Sequence, residues 1–292
     1  MTLPNFVIIG AIKGGTTSLY RYLGEHPDVY MCPRKEPLYF AWDPERPRPA
    51  GQQEMCTDLG TYESLFEGAA GAPAVGEASP QYLYSVVAAG RIRETIPDAR
   101  LIAILRHPVE RALSAYLHLV RDGAETLTFE EALAAEDERR REGWDPIWHY
   151  RAVGLYADQV ERYCETFDRD QVRFYLHDDF ERDPRALVQD VFGFLDVDPS
   201  FEPATSVRFN ASGVPRRRLL FRLATTENPM RRAARAAVPQ RHRERLRVLA
   251  INRSLERPQL APETRRRLAQ SFTDDVRRLQ RLLGRDLSHW LR

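Results

Sequence analysis

The residues with the clearest chemical capacity lie in Lys13-Gly14-Gly15-Thr16-Thr17, directly after the apolar run Phe6-Val-Ile-Ile-Gly10. A buried strand that enters a glycine turn and then a helix aims successive backbone N–H groups, and the positive end of the helix dipole, at one point. Gly14 and Gly15 let the backbone approach an anion's oxygens closely. Thr16 and Thr17 add hydroxyl donors, and Lys13 sets a positive charge at the mouth. These types in this order suit a phosphate-like anion. The order is not G-x-x-x-x-G-K-[ST]. Lysine precedes the glycine pair, and no hydroxyl follows it directly to hold magnesium. An ATP-dependent kinase with an atypical phosphate loop is the alternative, and that missing hydroxyl weakens it.

A second group sits in Leu101-Ile-Ala-Ile-Leu105-Arg106-His-Pro-Val-Glu-Arg-Ala-Leu-Ser114. Arg106 ends an apolar run, where ligands gather in open α/β sheets. Ser114 lies eight residues on, about two turns into the helix that follows. A guanidinium fork and a hydroxyl so placed can meet on one phosphate. The alternative is that Arg106 pairs with a local acid such as Glu110. Arg111 is expected at the surface.

The order K-G-G-T-T after an apolar strand, with a strand-end arginine and a helical serine further on, resembles the PAPS-dependent sulfotransferases, PAPS being 3′-phosphoadenosine 5′-phosphosulfate. The likeness is closest to the heparan sulfate and other carbohydrate enzymes and to bacterial members of that branch. It covers residues 5 to about 220. It implies a three-layer α/β fold with a central, mostly parallel sheet flanked by helices. It also implies PAPS as sulfuryl donor, adenosine 3′,5′-bisphosphate as product, and no metal. By position, Lys13, Gly14, Gly15, Thr16 and Thr17 then hold the 5′-phosphosulfate, and Arg106 and Ser114 hold the 3′-phosphate.

Sulfuryl transfer requires a base for the acceptor and a cation for the leaving oxygen. Lys13 is expected to be the cation. The segment Arg34-Lys-Glu-Pro-Leu-Tyr-Phe40 resembles the family's K-E-x-x-x-F, which makes Glu36 the base. His149, in Trp-His-Tyr-Arg, is the second choice. Gly76-Glu-Ala-Ser-Pro-Gln-Tyr82 resembles the segment lining the acceptor cleft, so Glu77, Ser79 and Tyr82 are candidate acceptor residues. Many heparan sulfate enzymes carry lysine where this chain has Ala78, which weighs against a glycosaminoglycan acceptor. Asn210-Ala-Ser-Gly-Val-Pro-Arg-Arg-Arg218 resembles a late loop that closes over the donor, with Arg216 and Arg218 as its contacts. A carbohydrate or small natural product bearing a hydroxyl or amine is the implied acceptor. A nucleotide-binding scaffold without chemistry is a third reading, under which Lys13 and Glu36 would tolerate replacement.

The elements must deliver these groups. The apolar runs at Phe6–Gly10, 74–77, Leu101–Leu105 and Val172–Leu176 read as strands. Helices are expected from Thr16 or Thr17 to about His26, and over 86–96, 109–120, 129–141, 153–167 and 184–195. Pro33 to Gln53 and residues 205–218 read as loop, and an arginine-rich helical part closes the chain near Leu291. Alternating strands and helices imply a parallel sheet covered on both faces, and one domain over residues 1–292.

The composition agrees with an ordinary globular protein, with 43% hydrophobic and 29% charged residues. A net charge of +1 argues against a dedicated nucleic-acid binder. Of the 43 basic residues only Lys13 and Lys35 are lysine, both inside the segments singled out above. No run is long enough to span a membrane. The first residues lack a basic n-region and a cleavage site, and the three cysteines fit no metal spacing, so a cytoplasmic protein with reduced thiols is expected.

Overall fold

The chain is described here from a computed structural model that covers residues 2–43, 55–69, 71–204, 213–215, 255–256 and 258–291. Five parallel strands form one sheet: β1 (Phe6–Gly10), β2 (Val29–Met31), β3 (Ala74–Ala78), β4 (Arg100–Leu105) and β5 (Val172–Leu176), in the order β2-β3-β1-β4-β5. β1 is central and buried along its whole length. Its side chains and those of β4 alternate between two layers, as strand geometry requires. Val7, Ile9, Leu101, Ala103 and Leu105 enter one hydrophobic cluster, and Phe6, Ile8, Ile102 and Ile104 enter the other. Burying each Val, Leu or Ile contributes about 1.5–3 kcal/mol, so the two continuous apolar runs anchor the sheet.

Among the described residues the helices are α1 (Thr16–Leu23), α2 (Leu59–Ser64), α3 (Ala88–Thr95), α4 (Pro108–Asp122), α5 (Phe129–Ala134), α6 (Glu136–Arg141), α7 (Ala157–Thr166), α8 (His177–Arg182), α9 (Pro184–Phe194), α10 (Pro262–Ser271) and α11 (Thr273–Leu283). α1 and α9 cover one face through Leu19, Leu23, Val188 and Phe192. α3, α4 and α7 cover the other through Ile92, Val109 and Val160. The arginine-rich end is not an appendage. Leu268, Phe272, Val276, Leu279, Leu287 and Trp290 join this second core. The Trp290 indole N–H donates to Asp178 at 2.9 Å. Val214–Pro215 (β6) pairs antiparallel with Leu255–Glu256 (β7). Arg216 and Arg218 lie outside the described residues, as does most of the late basic loop.

Several expectations are corrected. α1 takes Gly15 as its N-cap, left-handed at φ 109°, instead of a threonine, and ends at Leu23 against Gly24. The helix expected over 129–141 is two helices hinged at Ala135. The buried Glu136 carboxylate accepts the Arg151 and Ala152 N–H groups at 2.7 Å each, which fixes the second helix separately. The helix expected from residue 153 begins at Ala157, after a 3-10 turn at Ala152–Gly154. Arg111 is not at the surface but fully buried. Its Nη2 donates to the Tyr150 and His149 carbonyls, so backbone oxygens from a distant segment replace water at that nitrogen.

Candidate active site

The elements that carry Lys13, Glu36, Glu77, Ser79 and Arg106 end at the carboxyl edge of the sheet, where α/β folds bind ligands. Lys13 follows β1, the Glu36 turn follows β2, Glu77 and Ser79 close β3, and Arg106 follows β4. The β1–β4 register shifts between Ile8 and Gly10, which releases the chain into the glycine loop. The loop then packs back on β4. Ala11 N–H donates to the Ile104 carbonyl at 3.0 Å and Gly14 N–H to the Ala11 carbonyl at 2.8 Å. A Cβ on Gly14 would stand 2.2 Å from the Ile104 carbonyl oxygen. Only glycine fits there, so the backbone N–H groups can line a concave surface at the start of α1. Thr16 is buried and Thr17 half-buried at its first turn.

Lys13 and Arg106 meet. The Arg106 guanidinium donates to the Lys13 carbonyl at 3.3 Å. Lys13 has a left-handed backbone, φ 66°, an unfavourable conformation for a side-chain-bearing residue that occurs mainly where a site requires it. Its ammonium is pushed down to about 7, first by burial, then by the cations Arg121 and Arg106, while Glu36 pulls the other way. A lysine crowded by cations in a partly closed site is stabilised by an incoming anion. Ser114 is buried on α4, two turns beyond Arg106. Glu110 pairs with Arg265 on α10. His107 caps α4, its Nδ1 accepting the Val109 N–H at 3.3 Å.

Glu36 lies close enough to Lys13 to act on its charge, and its carboxylate pairs with the neighbouring Lys35 ammonium. Its N–H donates to the Ala78 carbonyl at 3.0 Å, extending the β2–β3 pairing into the turn. Glu36 and Leu38 both have left-handed backbones, φ 63° and 60°. Glu77, Ser79 and Tyr82 are fully buried, and their polar atoms engage one another behind this turn. His149 stands elsewhere. Its Nδ1 meets the Tyr84 hydroxyl at 3.2 Å. Burial and then Arg140 push its ring down to about 4.

Two neighbours of Lys13 lie outside the sequence motifs. His118 and Arg121 follow Ser114 by four and seven residues on α4, the spacing of one helical face. His118 Nδ1 meets Arg121 Nη2 at 2.6 Å. Burial, then Lys13, then Arg121 hold the imidazole well below its ordinary value. Arg121 also pairs with Asp122 at 2.8 Å. Among the described residues no group of three or more His, Cys, Asp or Glu side chains is placed to hold a metal ion. No described helix is long and apolar enough to cross a membrane.

A parallel sheet with a glycine cradle, two converging cations and a carboxylate turn at its carboxyl edge defines an α/β fold of the sulfotransferase type. Residues 4–203 match the sulfotransferase family, and the chain belongs to it. A crystal structure of a sulfotransferase from Alicyclobacillus acidocaldarius superposes with a TM-score of 0.80 and 39% identity, covering 100% of both chains. Human heparan sulfate glucosamine 3-O-sulfotransferase 6 is 29% identical over 197 residues, 66% of this chain and 52% of that protein. Human heparan sulfate glucosamine 3-O-sulfotransferase 3B1 is 30% identical over 194 residues, 66% of this chain and 46% of that protein. The chain thus spans about half the length of the curated relatives it matches. Mouse SULT7A1, solved in complex with PAP, shares the fold at a TM-score of 0.53 and 14% identity.

Proposed function

We propose that the chain transfers a sulfuryl group from PAPS to a hydroxyl, or an amine, of a carbohydrate or small natural product. The observation that carries this reading is the convergence of Lys13 and Arg106 from two strand ends, with Lys13 pushed down to about 7 by burial and by the cations Arg121 and Arg106. The residues present fit the donor. The Gly15 backbone N–H with the Thr16 and Thr17 hydroxyls receives the 5′-phosphosulfate, while Gly14, whose own N–H is committed to the Ala11 carbonyl, lets the loop pack close against β4. Arg106 and Ser114 receive the 3′-phosphate, as a guanidinium and a hydroxyl suit it. When bound, PAPS supplies the activated sulfuryl group on a phosphate anhydride.

The protein's own work is then charge and proton management. Lys13 places its positive charge where negative charge grows on the bridging oxygen. Glu36 takes the acceptor's proton as its oxygen or nitrogen attacks sulfur. Lys35 keeps the Glu36 carboxylate oriented. Ala78, in place of the lysine common in heparan sulfate enzymes, favours an acceptor of lower anionic charge. A kinase reading finds no support among the relatives above, and β4 is followed by Arg106 where a metal-binding acid would be expected. The core shared by the sheet and the carboxyl-terminal helices supports one domain.

The test is a thermal-shift panel with adenosine 3′,5′-bisphosphate, ATP and magnesium-ATP, followed by ³⁵S transfer from PAPS to neutral sugars, phenols and heparan sulfate. Selective stabilisation by the bisphosphate is expected. Equal or stronger stabilisation by magnesium-ATP overturns the donor assignment.

A further inference from the structure

β3 carries one charged residue into the apolar layer. Strand alternation sends Val75 and Glu77 to the same face, and Glu77 arrives fully buried among Phe40, Tyr62 and Tyr82. Both carboxylate oxygens are engaged. Oε1 accepts the Tyr82 hydroxyl at 2.7 Å and the Tyr62 hydroxyl at 3.1 Å, and Oε2 accepts the Ser79 hydroxyl at 2.8 Å. An ionised carboxylate only accepts, so all three hydroxyl protons are committed to it. The lone pairs of two of those hydroxyls then face the next segment. Ser79 Oγ accepts the Leu38 N–H at 3.2 Å, and the Tyr82 hydroxyl accepts the Phe40 N–H at 3.4 Å. These amides follow Glu36 by two and four residues, in the turn whose Glu36 and Leu38 are both left-handed.

We propose that Glu77 is the positioning residue for Glu36, fixing the Ser79 and Tyr82 hydroxyls as acceptors for the strained turn that presents the base. This rests on the reading of Glu36 as general base given above. Relays of this kind are directional. An amide in place of the carboxylate has one acceptor oxygen and must donate from its nitrogen, so at least one hydroxyl reverses and one turn N–H loses its acceptor. Burial pushes Glu77 up to about 7, against the pull of Tyr82, Ser79 and Tyr62. The three hydroxyl donors are what keep the acceptor-only form accessible near neutrality.

The test has an arm independent of catalysis. Hydrogen exchange on the full chain reads the Leu38 and Phe40 amides. Glu77→Gln should speed at least one of them about tenfold, the factor carried by one net hydrogen bond. Ser79→Ala should speed Leu38 alone and Tyr82→Phe should speed Phe40 alone. Tyr62→Phe, which removes a donor to the same carboxylate but no acceptor of the turn, should speed neither. The second arm is turnover of PAPS, read as release of adenosine 3′,5′-bisphosphate with water as acceptor. Glu77→Gln should lower it roughly 10–100-fold, the scale of a misplaced catalytic group, with bisphosphate affinity kept. In a Glu36→Gln background the same change should cost less than about twofold, because the two act as one unit.

Unchanged exchange at both amides in folded Glu77→Gln overturns the proposal. So do losses that multiply in the double variant, which would mark a general structural role. If the wild-type chain bound no bisphosphate, the donor assignment would fall, and the exchange arm would still decide whether Glu77 holds the turn.

Discussion

Lys13 makes donor binding a proton-linked event. In the free protein burial, Arg121 and Arg106 push its ammonium from 10.5 to about 7. A phosphosulfate or phosphate in the cradle supplies the missing negative charge and returns the group toward its ordinary value. The anion therefore binds the protonated form. The Lys13 contribution to affinity is full below about pH 7 and weakens as pH rises, by about tenfold per unit until the bound-state value is passed. At pH 8 about a tenth of free Lys13 is protonated, so binding should take up about 0.9 proton. At that pH the ligand's phosphates, with a second pKa near 6, are already ionised and have no proton left to give or lose. His118, held far below neutrality, also stays neutral in the free protein. The assay is isothermal calorimetry with adenosine 3′,5′-bisphosphate at pH 8, in buffers of different ionisation enthalpy. Wild type should show the uptake and Lys13→Met should lose it. No uptake in wild type, or the same uptake in Lys13→Met, would refute the reasoning.

Glu36→Gln should bind the bisphosphate normally while sulfate transfer falls roughly 10²–10⁴-fold, the range of general base catalysis. Stopped assays of ³⁵S transfer beside calorimetry check both halves. Arg106→Ala should weaken adenosine 3′,5′-bisphosphate by roughly 10–100-fold, the worth of charged hydrogen bonds, and leave adenosine 5′-monophosphate nearly unaffected. A parallel loss for both nucleotides would move the 3′-phosphate elsewhere. Gly14→Ala should destabilise the fold by about 1–3 kcal/mol as the loop is forced off β4, measured from the urea midpoint, because its Cβ would meet the Ile104 carbonyl at 2.2 Å.

The sheet's centre was legible because Phe6–Ile9 and Leu101–Leu105 are continuous apolar runs, one followed by a glycine and the other by an arginine, as strands buried on both faces read. β2 was missed. Val29-Tyr-Met is three residues long with only Val29 buried, and its pairing with Ala74, Val75 and Gly76 decides its conformation. The break at Ala135 had no glycine or proline to announce it. It follows from Glu136 capping a loop fifteen residues away. Arg111 misled because residue type sets the prior for exposure, whereas carbonyls from His149 and Tyr150 set its burial. The cradle and the strand-end arginine were visible as motifs. The buried Glu77 network was not, since its partners Tyr62 and Phe40 come from separate segments. His118 and Arg121 were reachable by carrying the helical spacing on from Ser114.

The central claim is that one nucleotide bridges the β1 and β4 strand ends. A crystal structure with adenosine 3′,5′-bisphosphate bound tests it most directly. The account predicts the 5′-phosphate in the Lys13–Thr17 cradle and the 3′-phosphate on Arg106 and Ser114 of the same molecule. A nucleotide touching only one of these groups, or lying away from the sheet's carboxyl edge, would contradict it.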